Sequence, residues 1–448
     1  MMKRIFLFLA LAIGMLSACS DDDSFTTSRN HLLTFQSDTV KMDTVFSNVG
    51  SSTYSLWVFN NSGDGLRIKT VRLRNANQTG FRVNVDGSYL DNKTGSVVND
   101  LEVRKGDSIR VYIELTAPEN GLDAAQPVED DLLFTLESGI EQRLHLQSYS
   151  WDAVKLTNLV IHRDTIIESP KPMVVYGEGI SVDSGAVLTI RHTTLYFHDR
   201  AGIDVGGTLR TDHVVMRGDR LDHMFDYLPY DRVSGQWGGV SFRPSSSNNV
   251  LENTEIRNAM TAVLLQDSDS SSINNSLNTL RLSMDHCVVH NAKGDGVVIF
   301  GSYVRLSYCQ LSNTLGDCLA INGGKVVIDH CTLAQFYPLS AQRGSALYFN
   351  AAEGLDLTCS NTIVTGYDAD VIIGEHPDTA YVNKYRFTDC LLRTPEVADD
   401  SVSFKGIQWE KPTDSIQGKQ HFVLIDEQNL KYDFHLDSLS TAQDKGCY

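Results

Sequence analysis

The chain has 448 residues, with 56 acidic against 38 basic side chains, a net charge of −18 and 42% hydrophobic residues. That apolar fraction supports folded cores and excludes global disorder, and the length fits two or three domains. The acidity excludes partners held by a broad basic face. Nucleic acid is one, because its phosphates must be neutralised by Lys and Arg; an anionic lipid surface bound by charge is another.

The first segment reads as an export signal. Lys3 and Arg4 precede an apolar run from Ile5 to Leu16 that is too short for a permanent membrane span. Leu16-Ser17-Ala18-Cys19 then resembles the bacterial lipobox. The resemblance implies that residues 1–18 are a lipoprotein signal peptide and that Cys19 carries the lipid, palmitate-type acylation included. The run Ser20-Asp21-Asp22-Asp23 resembles the surface-export signal of Bacteroidota lipoproteins. That implies an outer-membrane lipoprotein exposed at the cell surface, with the lipid anchor as its membrane partner. Residues 19–30 are expected to form an acidic, flexible tether.

From 31 to 150, short alternating runs are separated by turn residues: Tyr54 to Phe59, Leu66 to Leu73, Phe81 to Val85, Ser108 to Leu115 and Leu132 to Leu136. Strands at this spacing, with no helical stretch, predict a β-sandwich. The run from Val58 through Gly139 resembles the Ig-like domains of bacterial surface proteins, and nothing in it reads as catalytic.

Eight cysteines are present, and the lipobox takes one. The odd remainder cannot pair completely, and no CxxC spacing suggests zinc or redox chemistry. Cys287, Cys309 and Cys331 instead stand 22 residues apart, twice, which marks a structural repeat. Aligned on this unit, one column reads Thr193, His213, Thr254, Cys287, Cys309, Cys331, Thr362, Cys390. Two residues on it reads Leu195, Val215, Ile256, Val289, Leu311, Leu333, Val364, Leu392. Three short strands per unit, stacked about 4.8 Å apart, would set these columns inside a parallel coil. The interior thiols are expected to be free and to pack as small hydrophobes, with disulfides between adjacent coils the lesser alternative. Four residues after the first column come Asn258, Asn291, Asn313, Gln335 and Gly366, a corner suited to positive φ, which Asn tolerates and Gly occupies freely, and where the Asn amides can bond along the stack.

These columns, with the Trp237–Phe242 phrase and the closing Tyr432–Gly446 phrase, resemble a right-handed parallel β-helix of the pectate-lyase-like superfamily. The two phrases look like phrases of secreted bacterial β-helix proteins of unassigned function. The expected fold is therefore all-β: an N-terminal Ig-like sandwich over 31–150, then a β-helix over 160–448 closed by a C-terminal cap.

Intervals longer than the bare repeat place loops at about 218–236, 267–279, 336–344 and 374–384. The first and third leave one corner, the second and fourth the next. The expectation is a groove on the strand face between those corners. Loop 218–236 carries the candidate ligand-binding residues Arg220, His223, Tyr227, Tyr230 and Arg232, with Trp237 just beyond. Its rings suit sugar stacking, and Asp219, Asp226 and Asp231 add polar contacts. The competing reading is a self-packed loop with its charges paired internally.

Polygalacturonases of this fold need a set of carboxylates around the scissile bond. The run Asn313 to Ile321 resembles one of their motifs with one Asp missing, and Asp295 lies one repeat earlier than Asp317. Asp295 and Asp317 are thus candidate catalytic residues, but the Gly-His-Gly motif is absent. No metal ligand set and no cofactor is read from the sequence; Ca²⁺ stays open through the resemblance to lyases. The expected function is a lipid-anchored surface protein that binds an extended polysaccharide or envelope component without catalysis. The alternatives are a polysaccharide lyase or glycoside hydrolase with a non-standard site, and a structural or adhesive surface protein.

Overall fold

The computed structural model describes residues 24–90, 96–266, 278–377, 383–398, 400–411 and 418–448, and the side chains of 352 and 353 are not among them. Cys19, the signal segment and the Ser20–Asp23 run lie outside the described residues. The chain divides into two compact units, the first ending at Asp152 and the second starting at Ala153. The second unit begins a few residues before the boundary expected at 160, because Val154–Ile161 is already its first strand.

The first unit is a β-sandwich of two five-stranded sheets. Its strands are β1 (Thr34–Phe35), β2 (Thr39–Phe46), β3 (Tyr54–Phe59), β4 (Leu66–Leu73), β5 (Phe81–Val85), β6 (Ser88–Tyr89), β7 (Val97–Val103), β8 (Ser108–Leu115), β9 (Gln126–Leu136) and β10 (Glu141–Trp151). One sheet runs β1-β3-β8-β5-β6, the other β2-β10-β9-β4-β7. Strict alternation drives the packing: Ile109, Val111, Ile113 and Leu115 of β8 all point into the core. The stretch expected to stay a free tether as far as residue 30 joins this unit at its midpoint. Phe25 bridges to Gly65, Thr26 donates to the Gly65 carbonyl, and Arg67 lies 4.5 Å over the Phe25 ring. An aromatic side chain in a polar run is enough to dock it.

The second unit is the parallel β-helix, with 22 strands in one continuous stack. Each coil has three faces. Face 1 includes 193–197, 254–257, 288–290, 310–312 and 332–335; face 2 includes 202–205, 239–242, 297–300 and 319–322; face 3 includes 187–191, 208–212, 325–329 and 383–388. A single left-handed residue turns face 3 into face 1 of the next coil. These residues are His192, His213, Asn253, His286, Tyr308, His330, Asn361 and Asp389, all with φ between 46° and 53°. Their rings stack outside the helix where coils are adjacent, His286 on Tyr308 at 4.9 Å and Tyr308 on His330 at 5.0 Å.

This turn corrects one column of the sequence alignment. His213 is the turn residue, not the interior one; Thr193 pairs with Val214 and Leu195 with Met216. Reading His213 and Val215 as interior slips the strand by one residue, which reverses every side chain between inside and outside. The remaining interior columns hold, whereas the corner column is left-handed only at its three asparagines; Gln335 and Gly366 are the last residues of strands Thr332–Gln335 and Ile363–Gly366. The described cysteines are all free and buried, with Cys287, Cys309 and Cys331 inside the stack. Burial pushes the Cys309 thiol well above its ordinary pKa. Gly239 explains the Gly-Gly phrase after Trp237: at φ 91°, a Cβ there would meet the Thr261 carbonyl oxygen at 1.8 Å.

The C-terminal segment does not close the end of the helix as expected. It runs back along the outside of face 1 as a hairpin of Phe422–Asp426 and Lys431–Leu436. Phe422, Phe434 and Ala442 pack on Ala334, Phe336, Ile363 and Leu391, and the Tyr448 hydroxyl donates to the Gln310 side-chain amide oxygen Oε1 at 3.2 Å. Under the hairpin, buried Glu410 accepts from the Thr365 hydroxyl at 2.6 Å and faces Arg393 at 3.5 Å and His421 at 3.6 Å. The physical reason is the outer surface of face 1, which turns apolar over the later coils and needs a cover.

Free interior thiols predict a simple result. A thiol reagent added to the native protein leaves Cys287, Cys309, Cys318, Cys331, Cys359, Cys390 and Cys447 unmodified, and all seven react after denaturation. Native labelling at any of them would contradict the packing.

Candidate ligand-binding site

The site follows from the outward positions of face 1. In register along the stack these are Glu255, Val288, Gln310, Thr332, Ile363 and Leu391. The next outward column runs Arg257, His290, Ser312 and Ala334. The early coils thus present polar groups and the later coils apolar ones. The hairpin covers the apolar part and stops, leaving a cleft of about 400 Å³ over the polar part. Its floor is Glu255, Arg257, Val288, His290, Gln310 and Ser312, polar but for Val288. One wall is Tyr432 to His435 of the hairpin with Tyr448, and the other is Asp231 and Arg232 of loop 218–236.

The corner asparagines set the second wall. Asn258, Asn291 and Asn313 have φ of 65°, 55° and 53°, as their residue type suggests. Their amides do not bond along the stack. Asn258 donates to the Asp231 and Val233 carbonyls at 2.9 and 3.0 Å, and Asn291 donates to the Asp231 carbonyl at 3.3 Å. Gln236 adds two bonds to the Tyr230 and Val233 carbonyls. Ser234 meets the Tyr337 hydroxyl at 3.0 Å, joining loops 218–236 and 336–344 at their common corner.

The carboxylates of the cleft are paired within the protein. Asp231 lies 3.0 Å from Arg217 and 3.1 Å from Arg257. Glu255 pairs with Arg257 and sits 3.0 Å from His290 Nε2. Burial works to raise the Glu255 carboxyl, but the bonds and charge of His290 and Arg257 outweigh it and hold the pKa at about 2. Asp433 binds His435 Nδ1 at 2.6 Å, and the His435 ring stacks on Tyr448 at 4.2 Å. Burial, with the nearby Glu427 charge, raises the Tyr432 phenol, so it stays a neutral donor.

The expected residues divide into four groups. Arg232 lines the cleft. Arg220 and Tyr230 serve the loop itself: Arg220 forms a forked pair with Asp222 at 2.6–2.8 Å and lies 4.4 Å over the Tyr230 ring. His223 and Tyr227 are exposed on a small hairpin formed by His223–Phe225 and Leu228–Pro229. Trp237 stands apart from the surface. It is fully buried, stacked on Phe197 at 4.2 Å, and its indole N–H donates to the Arg257 carbonyl. A large aromatic beside a Gly-Gly turn is core here, and Trp237→Ala would excavate the helix rather than test a ligand.

Asp295 and Asp317 do stack in adjacent coils, away from the cleft. Asp295 accepts the Asp317 backbone N–H at 2.7 Å, and Asp317 accepts the Ser345 N–H and hydroxyl at 2.6 and 2.7 Å. Each carboxylate therefore fastens the turn of the next coil. Burial, and the neighbouring Asp317 charge, raise the Asp295 carboxyl. Among the described residues no group of three or more His, Cys, Asp or Glu side chains could hold a metal ion.

The groove was expected on face 2, between the two loop corners. The cleft lies on face 1 because its first wall is the C-terminal hairpin, which has no repeat and so no periodic signal. The signal that could have found it is the switch to Ala334, Ile363 and Leu391 at outward positions, since exposed apolar columns imply a cover.

Residues 149–333 match the family described as right handed beta helix region. No curated protein matches the chain. Among solved structures, the catalytic domain of a GH87 alpha-1,3-glucanase in complex with nigerose is similar over 81% of this chain and 88% of its own, at 10% identity and a TM-score of 0.40. The catalytic unit of a thermostable GH87 alpha-1,3-glucanase from Streptomyces thermodiastaticus is similar over 80% and 89%, at 12% identity and a TM-score of 0.25. Against the Vibrio cholerae VesB protease the shares are 28% and 33%, at 13% identity and a TM-score of 0.18, so the chain spans about a third of that structure. Scores this low carry no argument about activity.

The Glu255 ion pairs set a pH dependence. Its folded pKa of about 2 lies below the ordinary 4.5, so its stabilisation is complete above about pH 4.5 and is lost as pH falls toward 2. Thermal unfolding measured across that window should show Glu255→Gln with a lower Tm than the parent at neutral pH, and the difference shrinking as the solution is acidified. A difference independent of pH would mean the pairs contribute nothing.

Proposed function

We propose that the chain is a lipid-anchored, cell-surface protein whose β-helix binds an extended polysaccharide or another envelope component in the face 1 cleft, without turning it over. The carrying observation is the cleft itself, whose floor crosses successive coils while each of its carboxylates is paired within the protein. A floor built from parallel coils suits a ligand extended along the helix axis. The exposed His435–Tyr448 stack offers an aromatic edge for a sugar ring. A carboxyl held near pKa 2 is a poor proton donor at neutral pH, which supports binding over catalysis. The surface location rests on the lipobox at Cys19 and the acidic run after it.

A second reading, a glycoside hydrolase with a non-standard site, is favoured by one observation. The Asp295 carboxyl is raised by burial and by Asp317, as a general acid would need. One experiment addresses both readings. The purified chain is placed on an array of neutral and acidic glycans, with Ca²⁺ and with chelator, and products are read by mass spectrometry. We expect retention without products, indifferent to chelator, and weakened at least tenfold by Arg232→Ala or Tyr448→Ala. Products that vanish in Asp295→Asn would establish the hydrolase instead, and silence on every glycan would sink both readings.

A further inference from the structure

Loop 218–236 carries a surface feature that the cleft does not use. At its tip Phe225 and Tyr227 stack with centroids 5.6 Å apart and planes 13° from parallel. They are 52% and 76% exposed. Exposed aromatics are unremarkable on a loose loop, but this one is tightly fastened. Leu228 between the tip and the base is buried, and Tyr230 N–H donates to the Asp222 carbonyl at 2.9 Å. The Arg220–Asp222 fork, the Arg220–Tyr230 contact and the Asn258 and Gln236 bonds hold the base. The rings are thus held outward by a rigid support and forgo the burial that aromatic side chains normally gain.

From the geometry we infer that the Phe225–Tyr227 pair is a second saccharide-contacting platform, continuous with the cleft, so that the ligand is a chain spanning both. This rests on the saccharide reading of the cleft and adds the length of the ligand to it. Tyr227 precedes Asp231 of the cleft wall by four residues, a reach of at most roughly 14 Å along the backbone. The two surfaces therefore lie within one short oligosaccharide of each other. The outward faces of the near-parallel rings can meet the C–H faces of pyranoses, and exposed Asp226, between them in sequence, is a partner for hydroxyls. A single sugar in the cleft would not touch the platform, whereas a longer chain would.

The test uses the full chain and calorimetric titration with gluco-, manno- and xylo-oligosaccharides, each as a disaccharide and as a longer chain. The parent should bind the longer form of its preferred series more tightly than the disaccharide. The double substitution Phe225→Ala with Tyr227→Ala should weaken the longer chain about tenfold and leave the disaccharide unchanged, while Tyr227→Phe keeps the parent affinity. Because the tip is exposed, these variants keep the parent unfolding curve. Unchanged long-chain affinity in the double variant, with the parent still binding, overturns the platform and spares the cleft. A change in the sedimentation of the ligand-free protein on making the double variant also overturns it, by assigning the tip to contacts between copies. If no series binds the parent, the cleft reading falls and the platform with it.

Discussion

Everything in the second unit depends on the parallel register between coils. Each residue has a partner about 4.8 Å away in the coils before and after, so any column of the sequence becomes a line on the structure. An inward column becomes a core thread, as with Cys287, Cys309 and Cys331. An outward column becomes a surface whose character changes along the helix axis. The register is fixed by a repeated left-handed residue at the turn from face 3 to face 1, where His, Asn, Tyr and Asp all adopt the same φ. Residues with a Cβ occupy that region at a cost. The interdigitated core and the backbone ladder on either side of each turn offset it, and the stacked rings of His286, Tyr308 and His330 add outside packing.

A repeat that regular cannot by itself make a concave site, because its faces are flat. Concavity needs material from outside the repeat, and the chain supplies it twice. Loop 218–236 is extruded at the first corner and clasped by asparagines that the corner already required. Their left-handed backbone leaves the side-chain amides free to bind a neighbour, and the neighbour is the loop's own main chain at Asp231 and Val233. The C-terminal hairpin is drawn back by apolar outward residues of the later coils. The cleft is the strip of polar floor that neither addition covers.

This division also explains what was legible in the sequence. The sandwich, the stacked columns, the free thiols, the corner asparagines and the common corner of loops 218–236 and 336–344 are all periodic or local features. They follow from side-chain alternation and residue spacing. The exceptions are instructive. His213 looked interior because a histidine beside two valines fits either face, and only the turn conformation assigns it. Trp237 looked available because it follows a polar loop, yet its ring fills the space against Phe197 beside a glycine pair. The hairpin wall was illegible because its strands contact residues about a hundred positions earlier through apolar packing, with no repeat to announce the contact. Phe225 was not singled out because its exposure depends on how the loop is fastened, which spacing alone does not encode.

The electrostatics of the cleft bear on the kind of chain it suits. The protein as a whole carries −18 charges, and such a field opposes the approach of a polyanion. A cleft that recruited acidic polymers against that field would need surplus cations. Here Arg217 and Arg257 are spent on Asp231 and Glu255, and Arg232 is the remaining guanidinium on the cleft wall. Compensated pairs on the floor are already desolvated and bonded, and so are Gln310 and Ser312, so a ligand gains little from adding another charge and more from the exposed rings of His435 and Tyr448. On the proposed saccharide reading, shape along the coils and ring stacking, rather than charge, are what remains to give selectivity, and both favour an uncharged, extended polymer over a uronic one.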